Sequence, residues 1–157
     1  MIKVRLQIGD GSIVDTETQY GFIYLDSDKR VGPPSKGFEK TSYPEEEGEH
    51  ILPKTVDDAF DYKVKFFIQA DSLANANAKI TAFNSALYTK SGDVKTYKLV
   101  TFYNDYKRHK IVGYPSEISE AEEFWRDRKN QVNDVVVVEW NIRVTKPSLC
   151  DFNLASV

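Results

Sequence analysis

The sequence predicts an α+β, mainly β fold: an antiparallel β-sandwich or open barrel with one flanking α-helix at about residues 72–89. Three observations carry this. In residues 134–147, DVVVVEWNIRVTKP, Val136, Val138, Trp140, Ile142 and Val144 are apolar, while Glu139, Asn141, Arg143 and Thr145 between them are polar. A period of two with one dry face belongs to a strand in a sheet packed on one side. Residues 60–69, FDYKVKFFIQ, alternate in the same way through Phe60, Tyr62, Val64, Phe66 and Ile68, with Phe67 the exception on the other face. Directly after them, Leu73, Ala76, Ile80, Phe83 and Leu87 fall on one stripe of a helical period.

Taken in chain order, residues 1–8 (MIKVRLQI) alternate Ile2, Val4, Leu6 and Ile8 with polar neighbours, which is a half-buried strand, and GDGS turns the chain. Residues 20–25, YGFIYL, form a second short strand. Residues 26–58 break the pattern with Gly32, Pro33, Pro34, Gly37, Pro44, Gly48, Pro53 and the acidic run PEEEGEH. They read as a long excursion with short strands around 37–42 and 50–52, and excursions of this length in a compact domain are usually functional or disordered. Ser72 suits a helix N-cap, since its hydroxyl can accept from the unpaired amides of the first turn. Lys90 suits the negative end of that helix and Gly92 its exit. KTYKLVTFYN and RHKIVGYP are two strands around NDYK, a hairpin. Residues 116–133, with Ile118, Phe124 and Trp125 as large apolar points, fit either a strand ending in a wide turn or a short helix. Pro147 ends the last strand. The final ten residues, SLCDFNLASV, read as a tail that docks on a neighbour. The organisation is a single domain over 1–147 with the excursion at 26–58, followed by a C-terminal tail at 148–157.

The chain has 157 residues, close to the commonest domain size, and is 41% hydrophobic and 13% aromatic, enough for a core. Its formal net charge is −3, without the basic excess of a general nucleic-acid binder. The single cysteine, Cys150, allows no internal disulfide and reads as a small inert residue. The longest uniformly apolar run is 135–138, far short of a membrane span, and the start of the chain lacks the apolar stretch of a signal peptide. The expectation is a soluble protein made in a cytoplasm, with no membrane partner.

A search for chemistry finds little. His50 and His109 lie in unrelated segments without metal-ligand spacing and read as surface or turn histidines. GDGSIV lacks the glycines of a dinucleotide fingerprint, and there is no Walker lysine and no nucleophile elbow. Glu45, Glu46, Glu47 and Glu49, and later Glu120, Glu122 and Glu123, read as solvated charge rather than a glycosidase pair. Asp26 and Asp28 in DSDKR offer an Asp-x-Asp pair for a divalent cation, but the further ligands of a calcium loop are missing, and a polar turn is the better reading. FYNDYKRHK, residues 102–110, interleaves aromatic and basic residues; on an acidic chain it reads as a basic hairpin tip with Tyr rings packed at its base rather than a single-strand nucleic-acid platform. No catalytic residue, cofactor or metal is expected.

A family resemblance sharpens this. Tyr43, Pro44, Gly48 and Pro53 stand in a Y-P-x-x-x-G-x-x-x-x-P pattern; FDYKVKFFIQA runs straight into NANAKITAFNSAL; KLVTFYNDYKRHKIVGYPSEI supplies a strand pair; and VVVEWNIRV ends at Pro147. In this order residues 42–147 resemble the tail-protein superfamily of tailed phages and prophages, especially the N-terminal domain of distal tail proteins and the related tail-tube proteins. The stretch YPEEEGEH is acidic where that family often carries a basic PGRDG-like turn, and the second C-terminal domain common in distal tail proteins is expected to be absent. The resemblance implies a non-enzymatic structural subunit of the virion tail. Such a subunit assembles with itself into a ring, commonly a hexamer, in the tail tube or at the baseplate hub. It contacts neighbouring tail proteins, reads no nucleic-acid sequence, and lets DNA pass through the ring lumen. For the assembly contacts, exposure and composition single out Tyr43, Glu46, His50, Phe124 and Trp125. The alternative is a stand-alone β-sandwich that binds a carbohydrate or protein ligand on exposed rings such as Tyr97, Tyr103, Tyr106 and Trp125.

Overall fold

In a computed structural model of the chain, residues 4–36, 39–41, 47–48, 50–52, 56–120 and 134–154 are described. The long alternating segments form the centre. β6 (Phe60–Ala70) and β12 (Asp134–Val144) pair antiparallel over their whole lengths, from Asp134 opposite Ala70 to Val144 opposite Phe60. β3 (Phe22–Ser27) adds to the far edge of β6, with an irregularity between Tyr24 and Asp26 that leaves Leu25 unpaired. A second group is built from β1 (Val4–Ile8), its short partner β2 (Val14–Asp15), β9 (Val100–Asn104) and β10 (His109–Pro115), all antiparallel. The two groups form one bent sheet in the order β2-β1-β9-β10-β12-β6-β3, with β11 (Ser119–Glu120) alongside β12.

The bend lies in β10. Its first half pairs with β9 as far as Gly113 opposite Val100, and its end pairs with β12 through Tyr114 opposite Arg143 and Pro115 opposite Ile142. The sheet thereby folds over on itself, and the inner faces meet: the Phe102 ring lies 6.0 to 6.3 Å from Trp140, Phe66 and Tyr62, centroid to centroid. Leu6, Val64, Phe66, Ile68, Ile111, Val138, Trp140 and Ile142 fill the space between the halves and are fully buried. The one-sided alternation of the two long strands is thus realised as a sandwich core, with Asp61, Glu139 and Arg143 on the outer, exposed face.

α2 (Leu73–Ala86) covers one end of this core. Ser72 caps it as expected, its hydroxyl accepting from the Asn75 amide at 3.2 Å. Ala76, Phe83 and Leu87 are buried, and Phe83 packs against Phe22, Tyr20 and Trp140. The helix stops three residues before the expected Thr89. Lys90 and Gly92 do not form its exit; they belong to a hairpin of β7 (Tyr88–Ser91) and β8 (Val94–Tyr97), where Gly92, at φ +60°, supplies the left-handed conformation of a two-residue turn. A second, unforeseen helix, α1 (Thr16–Tyr20), precedes β3 and is capped by the Asp15 carboxylate and closed by Gly21. Ile118 is buried beside α2, where Asn84 binds it with both ends of its amide: Oδ1 accepts from the Ile118 amide at 2.8 Å and Nδ2 donates to its carbonyl at 3.2 Å.

The described residues of the excursion form a two-stranded arm. At its root the Lys36 amide donates to the Val56 carbonyl and the Asp58 amide to the Pro34 carbonyl. Further out β4 (Glu39–Thr41) pairs with β5 (His50–Leu52), in a register only one residue off that of the root. The expected strands around 37–42 and 50–52 are therefore each other's partners. Among the described residues, neither packs extensively on any other element.

Candidate assembly surface and the anchored root of the arm

A two-stranded ribbon has no second layer to bury its side chains and is marginal alone. The root of this arm carries exposed apolar residues, Val31 at 93% and Val56 at 63% of their full accessibility. The distal part of the arm holds three of the residues singled out for contacts. His50 sits in β5 opposite Thr41, and its side chain lies outside the described residues, as do Tyr43 and Glu46. Phe124 and Trp125 also lie outside them, so no geometry joins these five residues.

The arm leaves the sandwich through residues 26–33, which are tied down by a buried polar cluster. His109 is 3% exposed, which corrects its reading as a surface or turn histidine. Its Nε2 is 2.7 Å from the Arg30 carbonyl oxygen. A carbonyl only accepts, so Nε2 carries the proton and Nδ1 accepts from the Tyr62 hydroxyl at 2.8 Å. Behind Tyr62, Asn104 Nδ2 donates to Ser27 Oγ at 2.8 Å, and Tyr24 and Ser27 share a further bond of 2.8 Å. Burial pushes the Tyr62 phenol up to about 12 and lowers the His109 imidazole, so at neutral pH the Tyr62–His109 pair is uncharged. Phe152 packs edge-on against His109, and the Arg30 guanidinium lies over the Phe60 ring at 4.5 Å. The sequence concealed the cluster because each member is a common polar residue whose partners are remote in the chain.

The Asp-x-Asp pair is occupied by cations of the chain itself. Asp26 faces Lys107 at 3.9 Å and Asp28 faces Arg30 at 3.5 Å, and the cleft beside them is lined by Lys29, Lys63 and Lys65. Among the described residues no group of three His, Cys, Asp or Glu side chains could hold a metal. The hairpin tip at 105–108 has the expected character: Tyr106 stacks on Tyr24 at 4.9 Å, and Tyr103 lies under Arg5 at 5.0 Å. Tyr97 packs on Tyr88 and hydrogen-bonds Glu117, so each of these rings is engaged in a separate local contact.

The C-terminal tail docks on its own domain. After a 3-10 turn at Pro147–Leu149, Asp151 bridges Lys110 through both backbone bonds, the Leu154 amide donates to the Arg108 carbonyl, and the Cys150 thiol lies against the Val112 backbone. Burial raises the Cys150 thiol, which keeps it protonated and unreactive.

One solved structure to which this folded-over sheet and helix are similar is the Dit protein of phage SPP1, described as a paradigm of the hub adsorption apparatus in phages that infect Gram-positive hosts. The match has a TM-score of 0.58 at 17% identity and covers 92% of this chain but 50% of that one, so this chain spans half the length of its structural relative. The likeness is one of fold. No protein-family model and no curated protein sequence matches the chain. No helix among the described residues is long and apolar enough to cross a membrane.

Proposed function

We propose that this chain is a non-enzymatic structural subunit of a phage or prophage tail, stationed at the distal tail or baseplate hub, that assembles into a ring. One observation carries the reading: almost the whole chain is similar in fold to a tail-hub protein, and beside that fold β4 and β5, as far as they are described, pair with each other and not extensively with any other element. In the ring the sandwich forms the wall, and the arm lies on the neighbouring subunit, burying Val31 and Val56 at its root. Contacts among copies of one chain close most simply under rotational symmetry, and the commonest ring in such tails is a hexamer. Tyr43, Glu46 and His50 on the arm, together with Phe124 and Trp125, supply the side-chain contacts. The ring's partners are neighbouring tail proteins, its place is the virion tail, and its lumen passes DNA without reading sequence.

The test is mass in solution by light scattering after size exclusion, over a concentration series, for the full chain and for a variant with residues 37–55 replaced by Asn-Gly. The full chain is expected to grow into a closed oligomer and the arm-deleted chain to remain a folded monomer. A full chain that stays monomeric throughout the series would overturn the reading and favour a stand-alone binding module.

A further inference from the structure

We infer that the cleft at the foot of the arm, lined by Lys29, Lys63 and Lys65, receives the acidic run Glu45, Glu46, Glu47 and Glu49 from the arm of a second copy. The inference rests on the arm being the assembly element, and adds the place on the neighbour where it is held and the force that holds it there.

Charge is divided unevenly along the chain. Residues 37–58 hold seven acidic residues against two lysines, a net charge of −5, and four of the seven fall within 45–49. The whole chain carries −3, so the remaining residues together carry +2. An acidic arm on a basic body is drawn to bodies rather than to other arms, which steers the arm of one copy towards the sandwich of another.

The cleft gives that attraction a place. Its volume is about 380 Å³, and it lies between Asp26–Lys29, where the arm departs, and the outer face of β6, where Lys63 and Lys65 stand away from the core. Lys107 and Arg30 face Asp26 and Asp28 there, and Lys65 faces Glu139 at 3.6 Å. Lys29 and Lys63 are exposed, and among the described residues neither has an ion-pair partner. The local excess of positive charge therefore belongs to these two side chains. The same face continues past Lys63 to Asn141, its partner across the ladder, whose Oδ1 is buried and has no hydrogen-bond donor among the described residues. An extended segment laid across the lysines can bring a backbone N–H to that oxygen.

The cleft of a second copy is the accessible one. The lysines lie at the foot of the arm, and the acidic run comes after β4. The chain is paired at the root, through Lys36 and Val56, and again where Glu39–Thr41 meets His50–Leu52. A strand advances about 3.3 Å per residue, so the five steps from Lys36 to Thr41 take the chain up to about 17 Å along before the acidic run begins. That run reaches its own cleft only if the paired ribbon folds back on itself; the cleft of a neighbour requires no such reversal.

The test is light scattering after size exclusion on two charge-reversed chains, alone and mixed. One carries Lys29→Glu with Lys63→Glu; the other carries Glu45→Lys, Glu46→Lys and Glu47→Lys. Each alone sets like charges against each other and is expected to need at least about tenfold higher concentration to associate than the unaltered chain. An equimolar mixture should regain association, because the basic arm of one meets the acidic cleft of the other and the acidic arm meets the basic cleft. Raising the salt from about 0.05 M to about 0.5 M should weaken association of the unaltered chain in the same direction. If a reversed chain fails to fold, Lys29→Gln with Lys63→Gln replaces it, with an expected weakening of about threefold or more. Lysine variants that associate as the unaltered chain does, folded reversed chains that stay apart when mixed, or an association indifferent to salt would overturn the cleft contact and leave the ring standing. An unaltered chain that stays monomeric at every concentration would overturn the ring, and the contact with it.

Discussion

Gly113 lies against the backbone of Arg143 so closely that a Cβ added at 113 would stand 2.5 Å from the Arg143 carbonyl oxygen. This is the point where β10 passes from β9 to β12 and the sheet folds over on itself. The neighbour is backbone within an eleven-residue ladder, so it cannot yield as a side chain tip would. Gly113→Ala is expected to lower stability by about 1–3 kcal/mol through overpacking. Urea unfolding checks this, and an unchanged midpoint would show that the corner tolerates a wider approach.

The paired bonds between Asn84 and Ile118 join α2 to the segment that follows β10. Asn84→Ala leaves the amide and carbonyl of a buried residue without partners, at a cost of about 1–3 kcal/mol. Asn84→Asp keeps the acceptor for the Ile118 amide but loses the donor, so its unfolding midpoint should fall between Asn84→Ala and the unaltered chain. A midpoint equal to the unaltered chain for both would mean that water replaces the amide freely.

His109 makes stability depend on pH, with a definite sign. Its imidazole is lowered in the folded chain, so the unfolded chain binds the proton more readily. The contribution is fully present above the unfolded value of about 6.5 and is lost as pH falls through the folded value. Thermal unfolding should therefore weaken between pH 7 and pH 5 in the unaltered chain, and His109→Gln should be flatter across that window. Glu117, lowered by the Lys95 hydrogen bond, contributes with the same sign only nearer pH 4. Equal slopes for the two chains would contradict the assignment.

The tail is part of the fold rather than an appendage. Phe152 packs on Phe60 and His109, and the segment covers Val112. Phe152→Ala should cost about 1–3 kcal/mol, below the 3–5 of a fully buried ring, because Phe152 is half-buried. Ending the chain after Lys146 should cost more than the point change, and a truncated chain as stable as the full one would show that the packing adds nothing.

Much of the fold was legible because the long elements advertise themselves. β6 alternates in burial over eleven residues and β12 from Val138 to Val144, and the start of α2 was marked by Ser72. The end of α2 was not, since lysine and glycine serve a helix exit and a hairpin turn equally well, and tertiary pairing of Tyr88 with Tyr97 decided between them. α1 is too short for a period; its signals were only Asp15 before it and Gly21 after it. The burial of His109 depends on partners 47 and 79 positions away, and no local pattern encodes that. The packing of the tail on its own domain was hidden for a similar reason: its apolar residues are few, and their surface is supplied by β10 and Phe60 within the same chain.

The central claim is that the arm serves a neighbouring copy. The most direct measurement mixes normal and isotope-labelled chains at high concentration, cross-links lysines, and asks by mass spectrometry whether Lys36 and Lys40 on the arm join to a lysine of the other isotope. Arm cross-links of mixed isotope in a closed oligomer are the predicted result. Cross-links confined to a single isotope, with the arm joined only to its own sandwich, would contradict it.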